Sequence, residues 1–124
     1  MIYTSYFANL KNLPDYIVPI SICGKAPDFY KGIQFKILAP KYDFFKQWKV
    51  NQDNNYYIYH FNKEVLNLLD PKEIEKKLYE LSNGSDIALI CYEKPDDFCH
   101  RHLVANWFNE NNIKCEEYIG KGLF

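Results

Sequence analysis

The clearest pattern of hydrophobic and polar positions lies in the last third of the chain. Residues Asp86–Cys91 form a short, continuous apolar run, which is typical of a strand buried on both faces of a parallel sheet. A polar loop follows, and from about residue 99 to residue 111 apolar positions return at helical spacing. Residues 113–118 supply another β-prone segment. This order predicts a strand–helix–strand unit with parallel strands and a right-handed crossover.

The first two thirds of the chain predict two strands and three helices. Proline has no N–H for a ladder, so Pro19 indicates an edge or irregular position for the second strand. Asp70 followed by Pro71 is a strong helix start, since aspartate caps the helix and proline suits its first position. The predicted elements are strands over residues 1–8 and 16–23, helices over 41–49 and 55–69, and a helix between Asp70 and Gly84 with an apolar stripe of Ile74, Leu78 and Leu81.

Length and charge narrow the class of protein. The 124 residues are enough for one domain, over residues 1–124, and the pattern of strands and helices predicts an α/β fold with a mostly parallel sheet. The chain has 15 Lys and Arg against 16 Asp and Glu, so it carries no excess of positive charge. This balance argues against a protein that binds nucleic acid mainly through its overall charge. The chain shows no secretion signal and no apolar run of membrane-spanning length. A cytoplasmic protein with four reduced cysteines is therefore predicted.

Reactive side chains concentrate in residues 91–102, directly after the buried strand. In parallel sheets ligands bind beyond the carboxyl ends of the strands, and a helix start supplies free N–H groups that suit an anion or a thiolate. We predict that Cys99 has a lowered pKa and that His100 shuttles protons. Arg101 offers a planar fork to a phosphate or carboxylate. Glu93 follows the strand closely and is the loop carboxylate assigned to function.

Each of these assignments has a structural alternative. Cys91 ends an apolar strand and is expected to be a small core residue. Cys99 equally fits a buried packing residue, since free cysteines are more often buried in the core than reactive. His100 shares a face with apolar residues, which also fits a core histidine bonded to a strand-end carbonyl. Asp97 is expected to cap the helix, and His102 is expected to lie at the surface.

The sequence predicts neither a metal nor a cofactor. Cys99 and His102 are three residues apart and can share a helix face, but they make two ligands where structural zinc needs four. The chain has no Cys-x-x-Cys pair. It also lacks a Gly-rich phosphate loop, a nucleophile elbow and a kinase signature.

Two stretches carry a family resemblance. Ala-Leu-Ile-Cys-Tyr-Glu-Lys-Pro at 88–95 and Phe-Cys-His-Arg-His-Leu-Val at 98–104 closely resemble the Cys-His-Arg signature of domain-of-unknown-function family 488, in its short branch. The resemblance implies a three-layer Rossmann-like α/β domain with a small, mostly parallel sheet and a pocket at the strand ends, but no reaction. The family's signature residues fall on Ser21, Cys91, Glu93, Cys99, His100 and Arg101.

The chain departs from longer members of that family on its first two strands. Those members resemble Thr-Ile-Gly-(Tyr/His)-Ser where this chain has Thr4-Ser5-Tyr6, and they carry Asp-Val-Arg where it has Ile20-Ser21-Ile22. We nevertheless expect the polar residues at these strand ends to converge on the loop. The predicted ligand-binding residues are Thr4, Ser5, Ser21, Cys91 and Arg101, and the predicted catalytic residues are Glu93, Cys99 and His100.

Three functions stay open. The first is binding or processing of a small phosphorylated or nucleotide-like molecule at the strand ends. The second is a non-catalytic module that binds nucleic acid or protein, since rings and cations interleave between Tyr30 and Trp48 as they do in stacking platforms. A helix with a buried aromatic stripe explains that stretch better, because the chain has no net positive charge. The third is thiol-dependent chemistry at Cys99.

Overall fold

Five parallel strands form one sheet in residues 1–119, the part of the chain that the computed structural model describes. The strands are β1 (Ile2–Tyr6), β2 (Ile17–Ser21), β3 (Ile33–Gln34), β4 (Asp86–Cys91) and β5 (Cys115–Glu117), in the order β3-β2-β4-β1-β5. The continuous apolar run is the central strand, β4, which pairs with both β1 and β2. The predicted α/β fold with a mostly parallel sheet is confirmed.

The connections between the strands cover both faces of the sheet. The α-helices are α1 (Tyr42–Asn51), α2 (Asn54–Glu64), α3 (Pro71–Leu81) and α4 (His100–Glu110), and 3₁₀ turns span Phe7–Asn12, Lys36–Leu38 and Leu66–Leu68. Because strand residues alternate between faces, β4 contributes Ile87 and Leu89 to a core shared with the four helices. Ala88 and Ile90 join a second core, with Phe7 of the first 3₁₀ turn. The fold therefore has three layers, as the family resemblance implied.

The predicted helix start at Asp70 is confirmed. Its carboxylate accepts a hydrogen bond of 3.2 Å from the backbone N–H of Lys72, and Pro71 takes the first helical position. After α3 the chain turns at Gly84, whose φ of 82° lies in the left-handed region that favours glycine. The predicted apolar stripe is wrong at its last position. Leu81 is 41% exposed, because the core contacts of α3 are made by residues further back in the helix.

The predicted helix over residues 55–69 is too long. The helix α2 ends at Glu64, and the backbone of Val65 leaves the helical region with φ −123° and ψ −72°. Successive helical residues point about 100° apart, so an unbroken helix directs neighbours to different surroundings. The break allows Val65 and Leu66 both to be buried in the core, while Leu68 is 74% exposed.

The prediction of an edge or irregular strand at Pro19 is wrong about its place in the sheet. Strand β2 lies between β3 and β4, and Pro19 is in register with Ala88. The Pro19 carbonyl points to the β3 side of the strand, where it accepts a hydrogen bond of 3.2 Å from the Tyr30 hydroxyl. A residue's N–H and C=O point to the same edge of a strand, and the short β3 pairs only with the next two residues of β2. The missing N–H of proline therefore breaks no ladder bond.

Two global features bear on the function. No helix within residues 1–119 has the length and apolar character needed to cross a bilayer. All four cysteines are free thiols, and all four are buried.

Candidate functional site

The carboxyl end of β4 and the amino end of α4 border a pocket of about 690 Å³. A volume of this size is typical of sites for small molecules. Four of the predicted functional residues line it, namely Cys91, Glu93, Cys99 and His100. The pocket lies where ligands bind in parallel sheets, beyond the carboxyl ends of the strands.

Two thiols and one imidazole meet at the buried end of this pocket. The Sγ atoms of Cys91 and Cys99 and a ring nitrogen of His100 all lie within 4.8 Å of one another. The Cys91 sulfur is 3.7 Å from Nδ1 and 3.6 Å from Nε2 of the histidine. His100 Nε2 lies 2.8 Å from the carbonyl oxygen of Ile22, just after β2. A carbonyl only accepts hydrogen bonds, so this contact fixes the proton of the neutral ring on Nε2.

The two thiols have different pKa values although they are neighbours. The pKa of Cys99 is lowered, first because the Cys91 thiol donates to its sulfur and also because of His100 and the backbone amide of Arg101. The pKa of Cys91 is raised well above its ordinary value, chiefly by burial. Of the two thiols, Cys99 is therefore the one that loses its proton more readily.

Glu93 lies in the loop after β4, with its side chain half-buried at the pocket. Burial raises the pKa of this carboxyl, and the neighbouring Cys99 adds to the effect. The backbone carbonyl of Glu93 accepts a hydrogen bond of 2.6 Å from Arg101 NH1. This bond ties the loop to the first turn of α4.

Arg101 lies fully buried behind the pocket rather than in its lining. Its Nε and NH2 groups donate to the two carboxylate oxygens of Glu117, both at 3.1 Å. Burial is the largest single effect and lowers the pKa of Arg101, but the hydrogen bond to Glu117 and the nearby charges of Glu117, Cys99 and Cys91 together outweigh burial and raise that pKa. The fork that was predicted to bind a phosphate is thus occupied by a carboxylate of the protein. The structure gives Arg101 a role in joining α4, β5 and the Glu93 loop.

The three predicted hydroxyl residues on β1 and β2 are buried and lie outside the pocket lining. Thr4 donates a hydrogen bond of 2.7 Å to Glu117, and Ser5 accepts one of 3.1 Å from Asn9. Ser21 Oγ lies 3.1 Å from the sulfur of Cys23. Adjacent strand residues point to opposite faces, so Thr4 and Ser5 cannot both face one site. Their assignment to ligand binding stays a prediction that the pocket geometry does not support.

The comparisons with known proteins point to one family. A family model for DUF488-N3a, described as the active DUF488-N3 subclade, matches residues 17–112, which run from β2 to just beyond α4. The chain belongs to the DUF488 family. The resemblance carried by the Cys-His-Arg signature is thereby confirmed. Neither the curated proteins nor the solved structures contain a match to this chain.

The DUF488 signature starts its helix differently from the prediction. Cys99 occupies the N-cap position with an extended backbone, whereas Asp97 is exposed in the loop. The Asp97 amide bonds to the carbonyl of Lys94, so that residue is held in a turn before the helix and the predicted cap is wrong. His102 was expected at the surface but is half-buried, and its Nε2 atom has no hydrogen-bond partner among residues 1–119.

An aromatic wall opposite the DUF488 signature was missed by the sequence reasoning. Trp48 of α1 packs against Phe98 with ring centroids 5.7 Å apart, and Tyr57 of α2 meets Phe98 at 5.0 Å. All three rings line the pocket, together with Phe45. The interleaved rings and cations of residues 41–49 were the available signal. The predicted helix with a buried stripe describes Phe44 but not its neighbours.

Proposed function

We propose that the protein binds and chemically processes a small phosphorylated or nucleotide-like molecule in the pocket between α1 and α4. The observation that carries this proposal is the pairing of an aromatic wall with a buried polar floor in one cavity of about 690 Å³. Pockets for small molecules have this composition, with mostly apolar lining and a few converging polar groups.

The wall is suited to a planar base. The rings of Phe45 and Trp48 are close to parallel, with an interplanar angle of 23° and centroids 6.2 Å apart. The indole Nε1 of Trp48 donates to Asn54 at 3.0 Å, which restrains the ring before a ligand arrives. Stacking on such rings accepts any base, because every base has a π-face. The wall therefore favours an aromatic ligand without selecting its hydrogen-bonding edge.

The charges at the opening favour an anion. Lys25 and Lys49 line the pocket and are exposed, so they are placed to meet a phosphate as point charges. The floor supplies the carboxyl of Glu93, a usual group for proton transfer, beside the imidazole of His100. The family model's description as an active subclade also favours chemistry over binding alone.

A ligand screen with a matched pair of variants tests the proposal. Nucleoside mono- and diphosphates, sugar phosphates and inorganic phosphate are screened by thermal shift, and hits are measured by calorimetry. We expect at least one nucleotide to stabilise the protein, by about 2.7 kcal/mol at 100 times its Kd. Trp48→Ala should weaken that ligand by about 1–3 kcal/mol, the usual contribution of one stacked base. Tyr59→Ala, which removes a ring 58% exposed and outside the pocket lining, serves as the control.

The alternatives predict other outcomes. A non-catalytic module for nucleic acid or protein predicts that a short oligonucleotide stabilises the protein while mononucleotides do not. That platform is weakened by the burial of Tyr30, Phe35 and Phe44, three of the rings that suggested it. Equal affinities for Trp48→Ala and Tyr59→Ala would contradict the stacking wall. Stabilisation by inorganic phosphate alone would remove the aromatic part of the proposal.

A further inference from the structure

We propose that Cys91, Cys99 and His100 form a binding site for one Zn²⁺ ion, with its fourth coordination position facing the pocket. The site goes beyond the proposed small-molecule function and does not depend on it. The sequence spacing alone offers Cys99 and His102 as a ligand pair. The fold instead joins the first residue of that pair with Cys91 from β4 and with His100 from the start of α4.

The spacing of the three ligand atoms fits a tetrahedral ion. Zinc binds sulfur at about 2.3 Å and imidazole nitrogen at about 2.0–2.1 Å, so two ligands of one tetrahedral ion lie roughly 3.5–3.8 Å apart. Cys91 Sγ is 3.7 Å from His100 Nδ1, and the whole triad lies within 4.8 Å.

The histidine already has the tautomer of a metal ligand. Its Nε2 points to the Ile22 carbonyl at 2.8 Å, which leaves the lone pair on Nδ1, an atom 3.7 Å from the Cys91 sulfur. Metal-bound histidines almost always donate their other ring N–H to a carbonyl or carboxylate in this way. The bond fixes the tautomer and the ring direction before any ion binds.

Burial and charge favour the ion as well. All three ligands are buried and lie on the ends of a central strand and a helix, which hold them in place. Zn²⁺ with two thiolates and one neutral imidazole carries no net charge, so the occupied site avoids an unpaired buried charge. The mixed N and S ligand set is one that zinc prefers.

The arrangement has one position left open. Three protein ligands with a fourth place for water or substrate are typical of catalytic zinc, whereas structural zinc has four protein ligands. The three ligands all line the pocket, so the open position faces the pocket. Glu93 lies two residues after the ligand Cys91 and lines the same space. Zinc-dependent nucleobase deaminases likewise place a proton-transferring Glu, itself no ligand, two residues after their first zinc ligand and before two further ligands.

The test measures the metal alone. The full chain is purified without a metal-affinity tag, and its zinc content per chain is measured by plasma mass spectrometry. We expect about one zinc per chain. Replacement by Co²⁺ should give a thiolate-to-cobalt charge-transfer band and the intense visible bands of tetrahedral cobalt. Cys99→Ser should weaken zinc binding by more than about 100-fold, beyond the 10–100-fold loss that follows removal of a group that merely supports a ligand.

A control variant separates this site from general thiol binding. Cys115→Ser removes a buried cysteine outside the triad and outside the pocket lining, and it should keep one zinc per chain. Wild-type protein that binds no Zn²⁺ while folded, with Cys99 open to alkylation, would overturn the site and favour thiol chemistry instead. Unchanged zinc affinity in Cys99→Ser would also overturn it. Either result leaves the stacking of a nucleotide on Trp48 intact, so the two proposals fail separately.

Discussion

Replacing Glu117 by glutamine should destabilise the protein strongly, although the side chain lies at its edge. The carboxylate of Glu117 accepts two hydrogen bonds from the buried guanidinium of Arg101 and a third from Thr4. In Glu117→Gln the charge is lost, and one amide N–H group must face a donor of Arg101. The guanidinium keeps its charge at a position with 0% exposure.

The size of the effect follows from the burial of the two partners. Breaking a buried ion pair by removing one partner costs about 3–5 kcal/mol, because the other charge stays buried and unpaired. The Glu117 side chain is 21% exposed, so water can replace part of the lost hydrogen bonding. We therefore expect the free energy of unfolding to fall by about 3 kcal/mol. For a domain of this length that lowers Tm by roughly 10 °C.

Urea denaturation followed by circular dichroism measures this difference in the free energy of unfolding. Glu116→Gln is the matched control, since it makes the same change of charge at the adjacent, exposed residue and should stay within about 0.5 kcal/mol of wild type. A Glu117→Gln protein as stable as the control would refute the idea that Arg101 serves the fold. Such a result would favour Arg101 as a ligand-binding residue. Arg101→Lys should then weaken the binding of a nucleotide without lowering the stability of the protein.

Two further substitutions test the fold. Asp70→Ala should cost about 1 kcal/mol of stability, because it removes the cap of α3, whereas Asp97→Ala should change little, since its side chain caps no helix. Equal losses in a urea titration would contradict this assignment. Phe108→Ala should cost about 3–5 kcal/mol, because the ring is fully buried under the sheet. Phe29→Ala, at an exposed ring, is its control, and comparable midpoints for the two would refute the placement of Phe108.

The fold could be predicted from sequence where local signals and burial agree. The continuous apolar run of β4 and the Asp70-Pro71 start of α3 each had one physical interpretation, and both were correct to the residue. The break at Val65 and the interior position of Pro19 could not be predicted. Both depend on neighbours far away in sequence, namely the core that receives Leu66 and the short β3, which pairs with Ile20 and Ser21 but does not reach Pro19.

The candidate site could be predicted only in part, for a related reason. Proximity in sequence identified the loop after β4, and the structure places Glu93, Cys99 and His100 in one pocket with Cys91. The aromatic wall comes from α1 and α2, more than thirty residues earlier, and no local pattern links Trp48 to that loop. The partner of Arg101 was missed because Glu117 approaches only when β5 joins β1 at the edge of the sheet.

The Cys-His-Arg signature serves two purposes because consecutive residues at a helix start point in different directions. Cys99 precedes the helix with an extended backbone, and the next two side chains leave α4 about 100° apart. His100 is thereby directed to the end of β2 and the pocket, while Arg101 reaches Glu117 on β5 and lies over the ring of Tyr6 on β1. Substitution of His100 should therefore change what the pocket binds. Substitution of Arg101 should instead lower the stability of the fold, because it removes the link between α4 and the edge strand β5.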